Sequence, residues 1–537
     1  MSAVLPRRAA LGLLGLPVLP RFAIAQSDTR PVITVAVQKI STSATLEPLR
    51  EQSNVGQRII ASFAEGLIEQ DWIDTLRPRP ALAESWKRID HQTLELTLRP
   101  GVKFHNGDPL TVEDIAFSFG NERMWSGSQA GQTGMFTSST AGQASKAPPP
   151  EARALAAASF PGFEKIEIVD RRTIRFVNKV PDTTIEGRLT RNTGTIFSSR
   201  AFNAAPSWLE WARKPVGTGP YRIRDYRPDR DLTMDAFDEH WAGRPPIRTL
   251  RFVEVPDVAA RVNGLLAGDF DFACDIPPDQ IAGIEKSPRH HVLGGKIANI
   301  RILVFDKQHP QLADPRIRRA LAHAIDRQAM VDSLWAGRTA VPKGMQWDFF
   351  GDMRIAEWAA PTFDPPMTRD LLKQAGYKGD PIPYQTLNNY YTNQTPSAQL
   401  IAENCQAAGL NVQIEMKENW SQILGRFPGR GFCDNSNSAW FNDPVSSMAS
   451  YGPGGQTWES GQWQNPDAAT ALRALQTETD MDKRRAAYRR MLEICEREDP
   501  AYTVLHQNAT FTAKRKDLPW RVAQSFVMDF SARNWGA

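Results

Sequence analysis

The side chains that do chemistry in proteins are all present in this chain, but none stands at a spacing that marks a reactive centre. A nucleophile elbow reads GxSxG, a zinc helix HExxH, a phosphate-cradling loop GxxxxGK followed by Ser or Thr, and a dinucleotide turn GxGxxG. None of them occurs here. The eight histidines are scattered, apart from the adjacent His290 and His291, which lack ligand-like spacing. The four cysteines, Cys274, Cys405, Cys433 and Cys495, form neither a CxxC pair nor a Cys/His zinc pattern. An oxidising compartment would permit a disulfide among them, without sequence choosing the pairing, and buried free thiols are the competing reading. Carboxylates are numerous but make no local pair. No catalytic residue, metal or cofactor is therefore expected from local motifs; catalytic groups that meet only in space keep an exported enzyme open.

The elements that position such side chains follow a leader. Arg7 and Arg8 precede a short apolar run from Ala9 to Leu19, and Ala23-Ile24-Ala25 gives the small-x-small pattern for cleavage before Gln26. The run is shorter than the roughly 20 residues that span a bilayer. Residues 1–25 are expected to be a signal peptide, and the paired arginines point to the twin-arginine route over an ordinary Sec signal. No cysteine follows the cleavage site to carry a lipid anchor. Removing Arg7, Arg8 and Arg21 from the 64 basic side chains leaves 61 against 60 acidic ones. That balance gives no electrostatic reason to expect nucleic acid or an anionic membrane as partner. The remaining length exceeds what one hydrophobic core serves, so two or more lobes are expected.

Within that length, strands and helices interleave, which indicates an α/β architecture. Residues 32–37 read as a strand and 54–65 as a helix with Val55, Ile59, Ile60 and Phe63 on one face. Leu94, Leu96 and Leu98 alternate with polar residues in a half-buried strand, and Asp170-Arg171-Arg172 joins two further strands as a hairpin. Residues 256–266 and 314–334 read as helices, the second with Asp314 as N-cap and Pro315 at its first position. Residues 126–150, rich in Gly, Ser, Thr and Pro, read as a surface loop.

Several longer blocks then occur in a fixed order: PALAESW from Pro80 to Trp86, LRPGVKFHNGD from Leu98 to Asp108, and LTVEDIAFS from Leu110 to Ser118. VGTGPY from Val216 to Tyr221, DEHWAG from Asp238 to Gly243, LLAGDFDF from Leu265 to Phe272 and DPRIRRALAHAID from Asp314 to Asp326 continue the series. Together they closely resemble the signature of bacterial extracellular solute-binding family 5, the dipeptide- and oligopeptide-binding proteins. On a physical reading, most motif residues are structural: Asn106-Gly107-Asp108 is a turn, Thr111 with Asp114 a helix cap, and Trp86 and Trp241 core anchors.

The resemblance implies an α/β, two-lobed periplasmic-binding-protein fold with a hinge and an extra N-terminal subdomain. Lobe I should comprise 26–300, including the extra subdomain over about 72–195; lobe II 301–499; and 500–537 the return to lobe I. The hinge crossings are placed near 297–305 and 498–508. It further implies a soluble, exported, periplasmic monomer without a lipid anchor. Such a protein captures a small solute, a di- or oligopeptide, and hands it to the permease of an ABC importer whose ATPase works on the cytoplasmic side.

In the peptide-binding relatives, a buried Asp after a strand, in the pattern Trp-x-x-Asp, meets the ligand ammonium. DNSNSAWFND from Asp434 to Asp443 carries that pattern, making Asp443 the candidate anchor beside Trp440, with Asn437 and Phe441 in the same segment. Pro444 directly after Asp443 departs from the family; if Asp443-Pro444 is instead the family's later acid-Pro pair, the anchor is absent. Trp420 matches another cleft position, Arg426 a basic one, and Gln52, Ser53 and Asn54 the loop that supplies backbone contacts. Trp347, Trp458 and Trp463 add aromatic surface that would cover peptide side chains or stack on sugars. A sugar, an opine or another non-peptide solute is the alternative ligand, and a sensing receptor the alternative role.

Overall fold

The computed structural model describes Met1 and residues 28–126, 145–388 and 390–536. The expected leader over 1–25 and most of the expected loop over 126–150 lie outside them, Met1 apart. Val32–Val37 reads VITVAV, a run rich in β-branched residues that suits a strand buried on both faces. It lies inside a ten-stranded sheet, parallel to both Thr249–Glu254 and Phe272–Ala273. In order, the strands are Val412–Lys417, Ile382–Leu387, Phe432–Ser438, His290–Phe305, Tyr502–Arg515, Phe272–Ala273, Val32–Val37, Thr249–Glu254, Asp231–Ala236 and Tyr221–Arg227. A separate four-stranded antiparallel sheet holds Ala83–Arg88, Thr93–Leu98, Thr173–Asn178 and Phe163–Ile168. Leu94, Leu96 and Leu98 there point inward, alternating with partly exposed neighbours.

The helix expected from residue 54 runs Asn54–Phe63, its N-terminus capped by Ser53, whose hydroxyl accepts from the Gly56 amide at 3.0 Å. Asp257 caps Val258–Ala267 in the same way. The single helix expected over 314–334 is instead two, Pro315–Ala324 and Arg327–Trp335. Ile325 is extended, because Asp326 starts a second helix by accepting from the Ala329 amide at 2.9 Å.

Apolar side chains gather in separate cores. One draws on residues between Ile33 and Cys274 and again between Leu518 and Phe530. Two adjoining cores are built from residues between Ile300 and Leu505. His290–Phe305 and Tyr502–Arg515 run antiparallel from the first region to the others: Leu293 packs on the first core, and Ile300, Ile302 and Val304 in the second. Their pairing shifts register between Lys296 and Ile300 and again before Ile302. Asn508 Nδ2 donates to Asn299 Oδ1 at 3.1 Å there, and Asn299 in turn donates to Ser436 and Ser438. All four cysteines are buried and free.

Candidate functional site

Between the two regions lies a cleft with about 1110 Å³ of empty space, partly open to solvent. One wall comes from the loop after the first strand. Glu51 organises it: its carboxylate accepts from the amides of Thr42 at 2.8 Å, Ser43 at 3.0 Å and Ser53 at 3.1 Å, and from the Ser43 hydroxyl at 2.8 Å. Gly56 makes room for this, since a Cβ there would sit 2.3 Å from Glu51 Cγ. With the loop fixed, Gln52, Ser53 and Asn54 face the cleft.

The opposite wall is built on a buried ion pair. Arg301 and Asp434, on neighbouring strands, meet at 2.6 Å, and Thr386 and Gln394 also donate to the Asp434 carboxylate. The Arg301 guanidinium lies 3.4 Å over the ring of Tyr391, whose hydroxyl is 3.2 Å from Ser436 Oγ. Tyr390 meets Trp420 edge to face at 5.1 Å, completing an aromatic corner. Burial pushes the Tyr391 phenol up to about 12 and raises that of Tyr390 well above the usual phenol value, so both are neutral hydrogen-bonding groups.

The strand Phe432–Ser438 supplies Asn435, Ser436, Asn437 and Ser438 to the lining. One of its edges pairs with residues 299–305 throughout. The other pairs with the strand Ile382–Leu387 only at Phe432 and Cys433, so from Asp434 onward that edge has no backbone ladder partner among the described residues.

The walls touch across the cleft, where Tyr390 also hydrogen-bonds Ser53 and the Asn54 backbone. Asn54 Nδ2 donates to Ser436 Oγ at 3.3 Å, Arg191 lies 5.2 Å from the ring centroid of Trp440, and Phe441 packs on Gly187.

Of the residues singled out from sequence, Gln52, Ser53, Asn54, Trp420, Asn437 and Trp440 line the cleft, whereas Asp443, Phe441 and Arg426 do not. The Asp443 carboxylate is engaged within its own lobe: Arg484 donates to it at 2.8 Å, and it accepts from the Val445 amide at 2.9 Å at the start of the helix Val445–Met448. Pro444 is the N-cap residue of that helix. Phe441 is buried, and the exposed Arg426 donates to the backbone carbonyl of Glu459. Trp347 and Trp463, expected as aromatic surface, are packed into the second lobe's core. Arg191, Tyr390, Tyr391, Asn435, Ser436 and Ser438 line the cleft without having been singled out for it. Adjacent tyrosines in a polar connection were a readable signal for two of them; Arg191 carried none. Among the described residues no group of three metal-ligating side chains occurs, and no helix is long and apolar enough to cross a membrane.

Comparison with known proteins places this geometry. The family model for bacterial extracellular solute-binding proteins, family 5 Middle, matches residues 77–462. Di/tripeptide-binding protein 2 of Pseudomonas aeruginosa is 27% identical over 478 residues, covering 84% of this chain and 85% of that protein. The dipeptide binding protein of Pseudoalteromonas sp. SM9913, solved in complex with Met-Leu, superposes with a TM-score of 0.79 at 19% identity, covering 93% of this chain and 99% of that one. A periplasmic binding protein from Helicobacter pylori in complex with the peptide STSA gives 0.78 at 19% identity, over 92% and 96% of the two chains. The fold is the two-lobed periplasmic-binding-protein fold.

Proposed function

Since the chain belongs to the bacterial extracellular solute-binding proteins of family 5, we propose that it captures a di- or oligopeptide in the periplasm and delivers it to the permease of an ABC importer. The observation that carries this reading is the open edge of Phe432–Ser438 beside the cleft. An extended peptide satisfies its own backbone by adding as a strand to such an edge, while pockets on either side receive alternate side chains. Sugars and opines present no repeating amide to pair with it. The names of similar proteins, which bind di- and tripeptides, support the same ligand class.

In this reading residues 301–499 form a lobe that swings about His290–Phe305 and Tyr502–Arg515, and closure brings Asn54, Gly187 and Arg191 against Ser436, Phe441 and Trp440. The protein works as a monomer, and its cleft binds without transforming the solute.

Mass spectrometry of the solute that co-purifies from the periplasm, followed by calorimetry with synthetic di- to pentapeptides, tests the proposal. At 100-fold excess over Kd, a bound peptide should add about 2.7 kcal/mol of stability. Methylating one backbone nitrogen of that peptide should weaken it. Binding of sugars or opines alone, with no peptide raising the melting temperature, would overturn it.

A further inference from the structure

The charges around the cleft do not balance, and the imbalance has one sign. Among its lining residues Arg191 is the only charged side chain, and no Asp or Glu is present. The nearby carboxylates are all engaged internally. Asp434 holds Arg301, Asp443 holds Arg484 and Asp182 holds Arg188 at 2.7 Å. Glu151 lies 3.1 Å from Arg50, and Glu51 is surrounded by backbone and hydroxyl donors. Arg191 makes no ion pair among the described residues, and its Nε is buried without a hydrogen-bond partner among them. The guanidinium lies instead over the face of Trp440, across the cleft. Burial and the nearby Arg188 push its pKa down to about 9, which still leaves the guanidinium charged at neutral pH. A half-desolvated cation without a counter-ion is costly in the empty protein. An anion delivered by the solute removes that cost.

We propose that Arg191 is the seat for a carboxylate of the bound solute, and that no carboxylate among the described lining residues meets its ammonium. Resting on the peptide reading above, this defines the ligand class as peptides whose carboxylate is required and whose amino terminus is dispensable. The planar guanidinium suits two parallel hydrogen bonds to a carboxylate, and Trp440 holds it in place from the other lobe. A cross-cleft contact of Arg191 that also reads the ligand couples recognition to closure.

The test compares one peptide as free acid, C-terminal amide and N-acetyl acid on the wild type, Arg191→Gln and Arg191→Lys. Amidation should weaken wild-type binding about 10- to 150-fold, the range for one charged hydrogen-bonded contact. N-acetylation should cost less than about twofold on the same scale. Arg191→Gln should bind the free acid as weakly as the wild type binds the amide, and should lose no further affinity on amidation. Arg191→Lys should recover part of the loss. With the isolated cation gone, ligand-free Arg191→Gln should melt no lower than the wild type, which also reports that it folds. An equal amidation penalty in wild type and Arg191→Gln would overturn the proposal, as would an acetylation penalty equal to that of amidation. If peptides fail but N-acyl amino acids or dicarboxylates bind in an Arg191-dependent way, the peptide reading falls and the carboxylate seat stands. If peptides bind as acid and amide alike, the reverse holds.

Discussion

Phe441 of the second lobe lies so close to Gly187 of the first that a Cβ on the glycine would stand 2.7 Å from Cδ2 of the ring and 3.0 Å from its Cβ. The ring is buried and its near atoms cannot swing aside, so a methyl group there pushes the lobes apart. Gly187→Ala should therefore weaken ligand binding about 5- to 150-fold, corresponding to an overpacking cost of about 1–3 kcal/mol. The ligand-free protein should be no less stable, because alanine is the better helix former. Small-angle scattering at saturating ligand should show a larger radius of gyration than the wild type. Unchanged affinity and full compaction would remove Gly187 from the closing contact.

Asp443→Asn separates the ligand from the fold. The change keeps the side-chain oxygen over the Val445 amide but removes the charge that Arg484 faces. Breaking a buried pair by one partner costs about 3–5 kcal/mol; with Asp443 15% exposed and Arg484 5%, the lower end is expected. Urea unfolding should show that loss, while peptide affinity changes by less than about twofold. A large loss of affinity at unchanged stability would instead return Asp443 to the ligand.

Arg301→Lys keeps a positive charge beside Asp434 but gives up the flat face 3.4 Å from Tyr391. Tyr391 then loses its backing against the cleft. Affinity should fall several-fold, with a stability loss of about 1–2 kcal/mol. Comparable binding by both proteins would mean that Arg301 acts on Asp434 alone.

His506 sets a pH dependence. Its Nδ1–H donates to the Gln507 carbonyl at 2.9 Å, and its ring packs 4.9 Å from that of Trp335. Burial, with Arg301 adding repulsion, pushes its pKa from 6.5 down to about 3. The unfolded chain therefore takes up a proton below pH 6.5 that the folded state refuses. Stability is full above that pH and falls by about 1.4 kcal/mol per unit until pH 3 is approached. Between pH 7.5 and 5 the contribution should be about 2 kcal/mol. His105, also pushed down, to about 4, adds a similar slope that is common to wild type and variant. His506→Gln should lose less stability over this interval than the wild type, as measured by urea midpoints. Parallel curves would exclude His506 as the source.

The signals that were legible in the sequence were local ones. Leu94, Leu96 and Leu98 alternate because one face of their strand is buried, and Thr111 and Asp314 mark helix starts by their own chemistry. Trp420, Trp440 and the loop at Gln52, singled out through the family resemblance, do line the cleft. What was hidden depends on partners distant in sequence. Nothing near Asp443 announces Arg484 on a helix 41 residues on. Nothing near Arg191 announces that its neighbours' carboxylates are all engaged elsewhere. An indole in a sequence is equally apt for a surface or a core, which is why Trp347 and Trp463 read as ligand-facing and are packed inside.

The four cysteines carry a practical consequence. Each is shut away from solvent without a disulfide, and burial pushes Cys274 up to about 11 and Cys405 and Cys433 to about 12. Thiolate is the species that reacts, so these side chains are nearly invisible to maleimides and to oxidants. No disulfide among them holds this fold together. A pair of surface cysteines introduced one on each lobe can therefore carry donor and acceptor dyes with the native thiols left in place, turning the protein into a fluorescent gauge of its own ligand.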